Sequence, residues 1–448
     1  MKFTLNEEFL KSVEENLSQG TLVHLKEQLG ELHPADLAEI LNQLDAEEAQ
    51  SILDHLENEL AAEVIVNLDE DIRKQILKDY TGFEIATEVI ENLDSDDAAD
   101  LLQELPEDVQ EAVMASLEDE QQAEEIADLL TRDEDTAGGL MAKELVKVNE
   151  NWKVMRCVRE MRRQAEELEH VYAVYVVNDD DVLLGTLSLK KLLTTSTRTP
   201  VKEVYDPKVV SIQAHASAEE AARIMGKYDV VVMPVVDEEG RLLGRITVDD
   251  VMDVMEEEAE RDYQLASGIT EDIESTDTVF TITRARVPWL FIGLLGGVVS
   301  SRIIGFFDIA QHPEMALFMP LIAAMGGNVG VQSSAIVVQA IARQGALETI
   351  ASKLKKDLGV ALLTGLVFAA LVFILSFLIN SGYELSSIVS IALFCVILIA
   401  AVMGTITPML LHRMKIDPAV ATGPFITTAN DILGLIIYFS IGRLIYGG

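Results

Sequence analysis

The sequence predicts a multidomain membrane protein: an acidic α-solenoid N domain, a tandem pair of small α/β domains, a connecting helix and a five-helix transmembrane domain. Three observations carry this prediction. The 448 residues have a formal net charge of −41 but a positive mean hydropathy of +0.23. One chain can have both only if the two properties occupy different segments. From Val287 onward there are eight basic and seven acidic residues, so the first 286 residues carry −42 and the remainder +1. The other two observations are a helical repeat in the acidic part and five long apolar stretches in the neutral part.

The same balance excludes several classes. Nucleic-acid binding needs a basic footprint, which is missing, as is a polybasic face for anionic lipid. The two cysteines, Cys157 and Cys395, fall in different halves, so no disulfide framework or thiolate cluster is expected. The N-terminus has no apolar run ending in a small-residue cleavage site, so no signal peptide is expected and the acidic part is placed in the cytosol.

In residues 1–132, apolar positions recur at helical spacing. A Leu-Asp or Leu-Pro step recurs at 44, 68, 93 and 105. Each step reads as a helix start, with Asp45 and Asp69 as N-caps and Pro106 near the first helical position. Helices of about ten residues cannot bury a face alone, so they should stack as a short solenoid. Most of these acids read as a solvated helical surface.

After TRDEDTAGGLM the texture changes. Val171–Asn178 and Val230–Val236 read as short buried strands, each followed by an acidic Gly turn, a second strand and a helix. This tandem resembles a pair of cystathionine-β-synthase (CBS) domains over 137–200 and 201–258. The second copy keeps the G-x-x-[ST]-x-x-D ending as Gly244, Thr247 and Asp250. In the first copy Gly185 and Ser188 match, but Lys191 stands where the Asp belongs. The resemblance implies that Asp250 contacts a nucleotide ribose, with ATP as the ligand and at most one intact adenosine site. Paired CBS modules sense a ligand and transmit it; plain dimerisation scaffolding is the alternative. Residues 259–286 form the connecting segment, continuing the acidic helix VDDVMDVMEEEAERDY.

Stretches at about 287–307, 315–341, 358–380, 386–411 and 418–442 are long enough to span a bilayer. The connections at 308–314 and 381–385 lack Lys and Arg. Those at 342–357 and 412–417 carry Arg343, Lys353, Lys355, Lys356, Arg413 and Lys415. The positive-inside rule places the latter two loops and the N-terminal half in the cytosol, leaving the C-terminus outside.

The fifth stretch holds one mid-depth ionisable residue, Asp431. A carboxylate there costs several kcal/mol unless hydrated or paired, so a cation in an aqueous path is the economical partner. A protonated Asp bonded to a neighbouring helix is the alternative. Gly423, Thr427 and Asp431 repeat at i, i+4, i+8 on one face, and Pro424 is expected to turn carbonyls toward the pore. The second stretch carries PLIAAMGGNVGVQ, whose glycines let backbones approach closely and whose Asn328 supplies an amide oxygen; simple helix packing reads equally well. Carboxylate, amide and carbonyl oxygens suit Mg²⁺ or Ca²⁺, and one Asp per chain suits a largely hydrated Mg²⁺ on a two-fold axis.

TAGGLM ahead of two CBS domains, then PLIAAMGGNVGVQS and DPAVATGPFITTANDILG, closely resemble the MgtE family of bacterial magnesium channels over essentially the whole chain. The resemblance implies a homodimer in the bacterial inner membrane, surrounded by lipid, with a pore on the two-fold axis between second and fifth spans. Asp431 matches the pore Mg²⁺ site and Asn328 its Gly-Gly-Asn motif. Mg²⁺ bound among the cytosolic domains holds such channels closed. Matching acids are Asp96, Asp100, Asp229, Asp250, Asp253, Glu258, Asp262 and Asp417; Arg261 stands where another acid is expected. Mg²⁺ is thus both substrate and regulator, with other divalent cations as further partners. The rivals are an H⁺- or Na⁺-coupled divalent-cation transporter, a CBS-regulated anion channel and a membrane-anchored sensor. No catalytic arrangement stands out, so an enzyme is not expected.

Overall fold

A computed structural model describes residues 9–13, 29–30, 32–166, 168, 170–269, 273, 278–307, 311–344, 350–379, 381–421 and 423–447. It divides into two compact units, residues 1–256 and 257–448.

The first unit opens with helices α1 (Pro34–Leu41), α2 (Ala46–Leu53), α3 (Asn58–Val66) and α4 (Glu70–Leu77), a helical stretch at 82–92, then α5 (Ser95–Gln103), α6 (Glu107–Met114) and α7 (Glu120–Leu129). These are the short amphipathic helices that the repeat predicts. Asp45 caps α2, its Oδ1 accepting from the Glu48 N–H at 2.9 Å. Asp69 precedes α4 without a side-chain cap. Its Oδ1 instead accepts from Asn42 Nδ2 at 2.8 Å, and its N–H donates to Asn42 Oδ1 at 3.1 Å, joining the α1 and α4 ends across 27 residues. Pro106 is the cap of α6 and Glu107 its first helical residue. Leu37, Ile40, Leu41, Ile65, Ile90 and Leu102 lie in the shared core.

Two three-stranded sheets follow. The first is β1 (Val146–Asn149), β2 (Val174–Val177) and β3 (Leu183–Thr186), with α8 (Val154–Gln164) between β1 and β2 and α9 (Leu189–Thr194) after β3. The second repeats it as β4 (Ile212–Gln213), α10 (Ala218–Tyr228), β5 (Val232–Val236) and β6 (Leu242–Thr247). In each the first pair is parallel and the second antiparallel, with an irregular register at the corresponding step of the central strand. The short lead strands β1 and β4 carry too few apolar residues to announce themselves. The hairpin turns pair reciprocally: the Leu183 N–H donates to Gly240 O at 2.9 Å and the Leu242 N–H to Asp181 O at 3.0 Å.

The TAGGLM segment does not pack within the first copy. Its Ala137 and Gly138 N–H groups donate to the Ala216 and Ala214 carbonyls, and Ala142 exchanges two hydrogen bonds with Arg245. It therefore straps the second sheet. A Cβ on Gly139 would stand 2.5 Å from the Asp133 carbonyl oxygen, and one on Gly138 2.9 Å from that of Ala214, so side chains are excluded there.

Helix α11 (Val248–Ser267) runs from the first unit into the second. It ends at Gly268, whose φ of +81° favours glycine. The connecting segment is thus not one helix through residue 286, because α12 (Val279–Phe306) already begins at Val279 and carries the first span. The other span helices are α13 (Met319–Gln344), α14 (Ile350–Leu378), α15 (Gly382–Arg413) and α16 (Pro424–Tyr446). Among the described residues five segments are long and apolar enough to cross a membrane: Val279–Phe306, Pro313–Ile341, Leu354–Leu378, Gly382–Arg413 and Pro424–Tyr446. Helix α15 is the buried centre, with Ile388, Val389, Ala392, Leu393 and Ile397 fully enclosed. Asp357, counted with a loop by sequence, lies inside the third span and accepts from Thr405 Oγ1 of α15 at 2.7 Å.

Small residues set the crossing of α13 and α15. A Cβ on Gly404 of α15 would overlap the Gly330 carbonyl oxygen of α13 and stand 2.8 Å from Ser333 Cβ. Both obstacles are held by helical backbone, so Gly404→Ala is expected to cost about 1–3 kcal/mol and to lower the melting temperature of the detergent-purified protein. Gly359→Ala, which adds a methyl where nothing lies within 4 Å, should be neutral or mildly stabilising. Equal melting temperatures for the two variants would contradict the packing account.

Candidate functional site

Two regions hold five of the acids singled out by sequence, Asp96, Asp100, Asp250 and Asp253 in one and Asp431 in the other. The first is a junction between the N domain and the second CBS domain. Asp94 precedes α5, and Ser95, fully buried, reaches outward: its N–H donates to Glu144 Oε1 at 3.0 Å and its Oγ to Glu144 Oε2 at 2.8 Å. The Lys143 N–H donates to Ser95 Oγ at 2.9 Å. From β6, Arg245 Nη2 donates to Asp94 Oδ2 at 2.8 Å. Asp94, Asp96 and Glu144 each present a carboxylate oxygen within 4.8 Å of the others. Asp250, in the first turn of α11, accepts from the Thr247 N–H at 2.8 Å and the Thr247 hydroxyl at 2.7 Å through one oxygen.

This concentration of acid perturbs its members. Desolvation, then Asp97, Asp250, Asp94 and Glu144, holds the Asp96 carboxyl well above the ordinary range. Asp97 is pushed up to about 7, by desolvation first and then by Asp250 and Asp100. Desolvation also raises Glu144 and Asp250 despite their hydrogen bonds to Ser95 and Thr247. Asp253 is raised by desolvation and then by Asp250. The arrangement attracts cations by its own repulsion.

A pH dependence follows. A carboxyl whose folded pKa is raised binds more protons folded than unfolded. Its stabilising contribution is therefore complete below the ordinary value near 4 and is lost as pH rises through about 7. Solvent screens Asp97, which reaches the surface, so the buried sides of Asp96 and Asp250 contribute most. In EDTA the protein should melt at a higher temperature at pH 6 than at pH 8, and millimolar Mg²⁺ should narrow the difference. An EDTA melting temperature that rises from pH 6 to pH 8 would contradict this.

Of the predicted sensor acids, the structure brings Asp96 and Asp250 together, Asp100 beside Asp97, and Asp253 beside Asp250. Asp229 is exposed and ends α10 in the left-handed conformation, with φ of +54°. Glu258, Asp262 and Asp417 belong to the second unit. Arg261 lies 4.0 Å from Glu258 on the same helix face. Asp417 is an N-terminal cap, accepting from the Ala419 N–H at 2.7 Å. Asp94, Asp97, Glu144 and Asp249 also belong to the junction and were missed. The SDD run and the acid following TAGGLM were visible, but their meeting is a long-range contact without sequence periodicity.

The two copies of the G-x-x-[ST]-x-x-D ending differ in their hydrogen bonds. Thr247 and Asp250 are paired at the start of α11, and Gly244 admits the strap, since a Cβ there would lie 2.6 Å from the Ala142 carbonyl oxygen. In the first copy Lys191 donates from Nζ to the Val204 carbonyl at 2.9 Å. An ammonium donates only and cannot accept a hydrogen bond as a carboxylate does.

The second region is the crossing of α13 and α16. Gly423 is the N-cap of α16 and Pro424 its first residue. Pro424 therefore starts this helix and does not interrupt it, where its missing N–H is harmless. A 3₁₀ turn, Pro418–Ala421, precedes it. Thr427 and Asp431 share a face one turn apart, and that face meets Gly327: a Cβ there would lie 3.0 Å from Thr427 Cγ2 and 3.7 Å from Asp431 Oδ1. Asn328, next along α13, is exposed on a single chain. Among the described residues no Lys or Arg forms an ion pair with Asp431. Just outside, Ala266–Gly268 at the end of α11 abut the start of α16. A Cβ on Gly423 would stand 2.7 Å from Ala266 O, and one on Gly268 2.7 Å from Pro424 Cγ.

Comparison with known proteins places these regions. A model described as the MgtE intracellular N domain matches residues 32–135, the CBS domain model matches 137–197 and 201–257, and a model described as a divalent cation transporter, MgtE, matches 319–441. The magnesium transporter MgtE of Thermus thermophilus is 38% identical over 72% of this chain and 72% of its own. That of Bacillus subtilis is 34% identical over 68% of this chain and 69% of its own. A crystal structure of the cytosolic domain of the Mg²⁺ channel MgtE in complex with ATP aligns with a TM-score of 0.51 and 39% identity, covering 55% of this chain and 99% of that one. The soluble part of a magnesium transporter aligns at 0.51 and 28% identity over 56% and 99%. Motifs, domain order and these relatives agree: the chain belongs to the MgtE family, transporters and not enzymes.

Proposed function

We propose that this protein is a Mg²⁺ channel for magnesium uptake that cytosolic Mg²⁺ closes by binding the acidic junction. One observation carries the reading. The end of α11 abuts Gly423 and Pro424, the first residues of the helix that holds Asp431. A displacement of the connecting helix therefore acts directly on the pore helix. Without Mg²⁺ the acids at Asp96, Asp97 and Asp250 repel one another; bound divalent ions neutralise and bridge them and shift α11. Asp100 and Asp253 extend this site, while Asp229, Glu258, Asp262 and Asp417 are further regulatory ligands carried over from the family. At the pore, Asp431 and Thr427 on α16, with Asn328 and the Gly423 carbonyl, hold a largely hydrated Mg²⁺.

The working unit is a homodimer in the bacterial cell membrane, with cytosolic N-terminal domains and an external C-terminus. Met155, Leu193, Tyr228, Val231 and Met252 are large apolar side chains left exposed on the CBS pair, which a two-fold partner would cover. A relative binds ATP in its cytosolic domain; here Gly244, Thr247 and Asp250 of the second CBS copy would take it.

Currents across planar bilayers separate a channel from an H⁺- or Na⁺-coupled transporter. The reversal potential should follow the Mg²⁺ gradient alone. A reversal potential that moves with an imposed H⁺ or Na⁺ gradient at fixed Mg²⁺ would favour the coupled mechanism.

A further inference from the structure

Asn430, one residue before Asp431 on α16, is only 2% exposed. Among the described residues neither its Oδ1 nor its Nδ2 has a hydrogen-bond partner. The side chain is wedged into α13. A Cβ on Gly330 would overlap Asn430 Nδ2 and stand 3.5 Å from Ile426 Cγ2. One on Gly326 would stand 3.9 Å from Asn430 Cβ and 3.0 Å from Val396 Cγ1 of α15. The amide thus points into a notch that two glycines open one turn apart, walled by the buried Ile426 and Val396. An orphaned amide in such a place is costly, and a leucine has the same branching without that cost, so packing alone does not account for an asparagine. The notch also supplies an acceptor. Within α13 the Gly326 carbonyl bonds to the Gly330 N–H, and neither glycine has a side chain to shield its second lone pair. Asn430 cannot move alone. Thr427 and Asp431 of the same helix face Gly327, and at the start of that helix Pro424 abuts Gly268. A Cβ on Gly268 would in turn lie 3.6 Å from Trp289 Cβ of α12, a ring only 6% exposed.

We infer that Asn430 is a positioning residue for Asp431 with two settings. In the setting seen here its amide is unpaired in the glycine notch. A shift of α16 along α13 lets Asn430 Nδ2 donate to the Gly326 carbonyl and carries Asp431 to a new place against Gly327. Close apolar packing favours the first setting and the hydrogen bond favours the second, so a modest push at Pro424 tips the balance. The link to flux rests on the proposed gating of the pore; the two settings themselves do not.

Tryptophan emission from the full-length protein in nanodiscs tests it. The chain has two tryptophans, and Trp152→Phe leaves Trp289 alone to report on the start of α16. In this background the emission should move between two levels as Mg²⁺ is titrated from EDTA to saturation. Asn430→Leu and Asn430→Ala both remove the amide that favours the second setting. Each should move the titration midpoint about fivefold or more in the direction that keeps Trp289 buried. The half-closing internal Mg²⁺ for flux in proteoliposomes should move by the same factor and in the same direction. A purely structural asparagine would change the melting temperature and leave both midpoints in place. Where Asn430→Leu fails to fold, Asn430→Ala decides. Midpoints that stay put, a shift the other way, or constant emission while wild-type flux closes with Mg²⁺ overturns the inference. Wild-type flux that ignores internal Mg²⁺ sinks the sensor reading instead. The settings are then read from the spectra in EDTA, where both variants should be blue-shifted from wild type, and identical spectra overturn them.

Discussion

Asp431→Ala is expected to abolish Mg²⁺ flux in proteoliposomes while the protein still folds, because the side chain is half-exposed and not part of the packed centre of α15. The magnitude follows from Coulomb's law. A unit charge about 4 Å from another in an effective dielectric near 20 is worth on the order of 4 kcal/mol. A divalent ion doubles this, and its retained water shell weakens it by distance. The net loss should exceed about 2.7 kcal/mol, so that flux at a fixed external concentration falls more than about 100-fold. Asp431→Asn keeps the volume and one acceptor oxygen but loses the charge, so it should be nearly as impaired. Asp431→Glu keeps the charge on a longer stem and should retain measurable flux with altered preference among divalent cations. Wild-type flux in Asp431→Asn would show that the carboxylate is not a cation ligand and that Asp431 is only a packed polar residue.

Combining Asp96→Asn with Asp250→Asn should flatten the response to internal Mg²⁺. The two substitutions remove a bridging carboxylate from each side of the junction while retaining side-chain volume. Each lost ligand costs at least about 1.4 kcal/mol of binding, or tenfold in affinity, so the half-closing Mg²⁺ concentration should rise at least tenfold. The pair also relieves the desolvation and repulsion that raise the carboxyl pKa values of both residues, so the pH dependence of melting in EDTA should shrink as well. Tracer uptake at graded internal Mg²⁺ and melting at pH 6 and 8 read the two effects separately. An unchanged closing curve together with a reduced pH dependence would mean that the junction senses protons and not Mg²⁺.

Some of this architecture was legible because it is periodic. The Leu-Asp steps announced the helices around Asp45 and Pro106, and the paired β-branched runs announced β2 and β5, since both signals repeat with the geometry of the element. The apolar stretches announced the five spans through length alone. Asp431 stood out in the sequence because a carboxylate at mid-depth is costly enough to demand an explanation. What escaped was set by contacts between distant segments. Nothing near TAGGLM indicates that it straps the second CBS sheet and not the first. Asp69 looked like a helix cap, but Asn42, 27 residues away, claims its carboxylate. Pro424 was read as a break inside the fifth span because the apolar pattern runs through it, whereas the turn at Pro418–Ala421 makes it a helix start. Glu144 and Arg245 were two unremarkable charges until the fold placed them against Asp94 and Ser95.

The glycines show the same division between local and long-range information. Gly268 could be suspected as a helix end from its place after an acidic helix. Its contact with Pro424 depends on tertiary structure, and that contact joins the end of α11 to the start of α16. In the same way GGN in the second span read equally well as packing or as pore. The structure places Gly327 directly against Thr427 and Asp431, so the close approach of two helices is what sets the carboxylate's position.

The central claim is that cytosolic Mg²⁺ closes a Mg²⁺ channel through the acidic junction. Mg²⁺ flux into proteoliposomes of oriented wild-type protein, at fixed external Mg²⁺, fixed driving force and increasing internal Mg²⁺, tests it most directly. Flux that falls cooperatively as internal Mg²⁺ rises, and that persists in Asp96→Asn/Asp250→Asn over the same range, is the predicted result. Wild-type flux that tracks only the Mg²⁺ gradient, with no closure at any internal concentration, would contradict it.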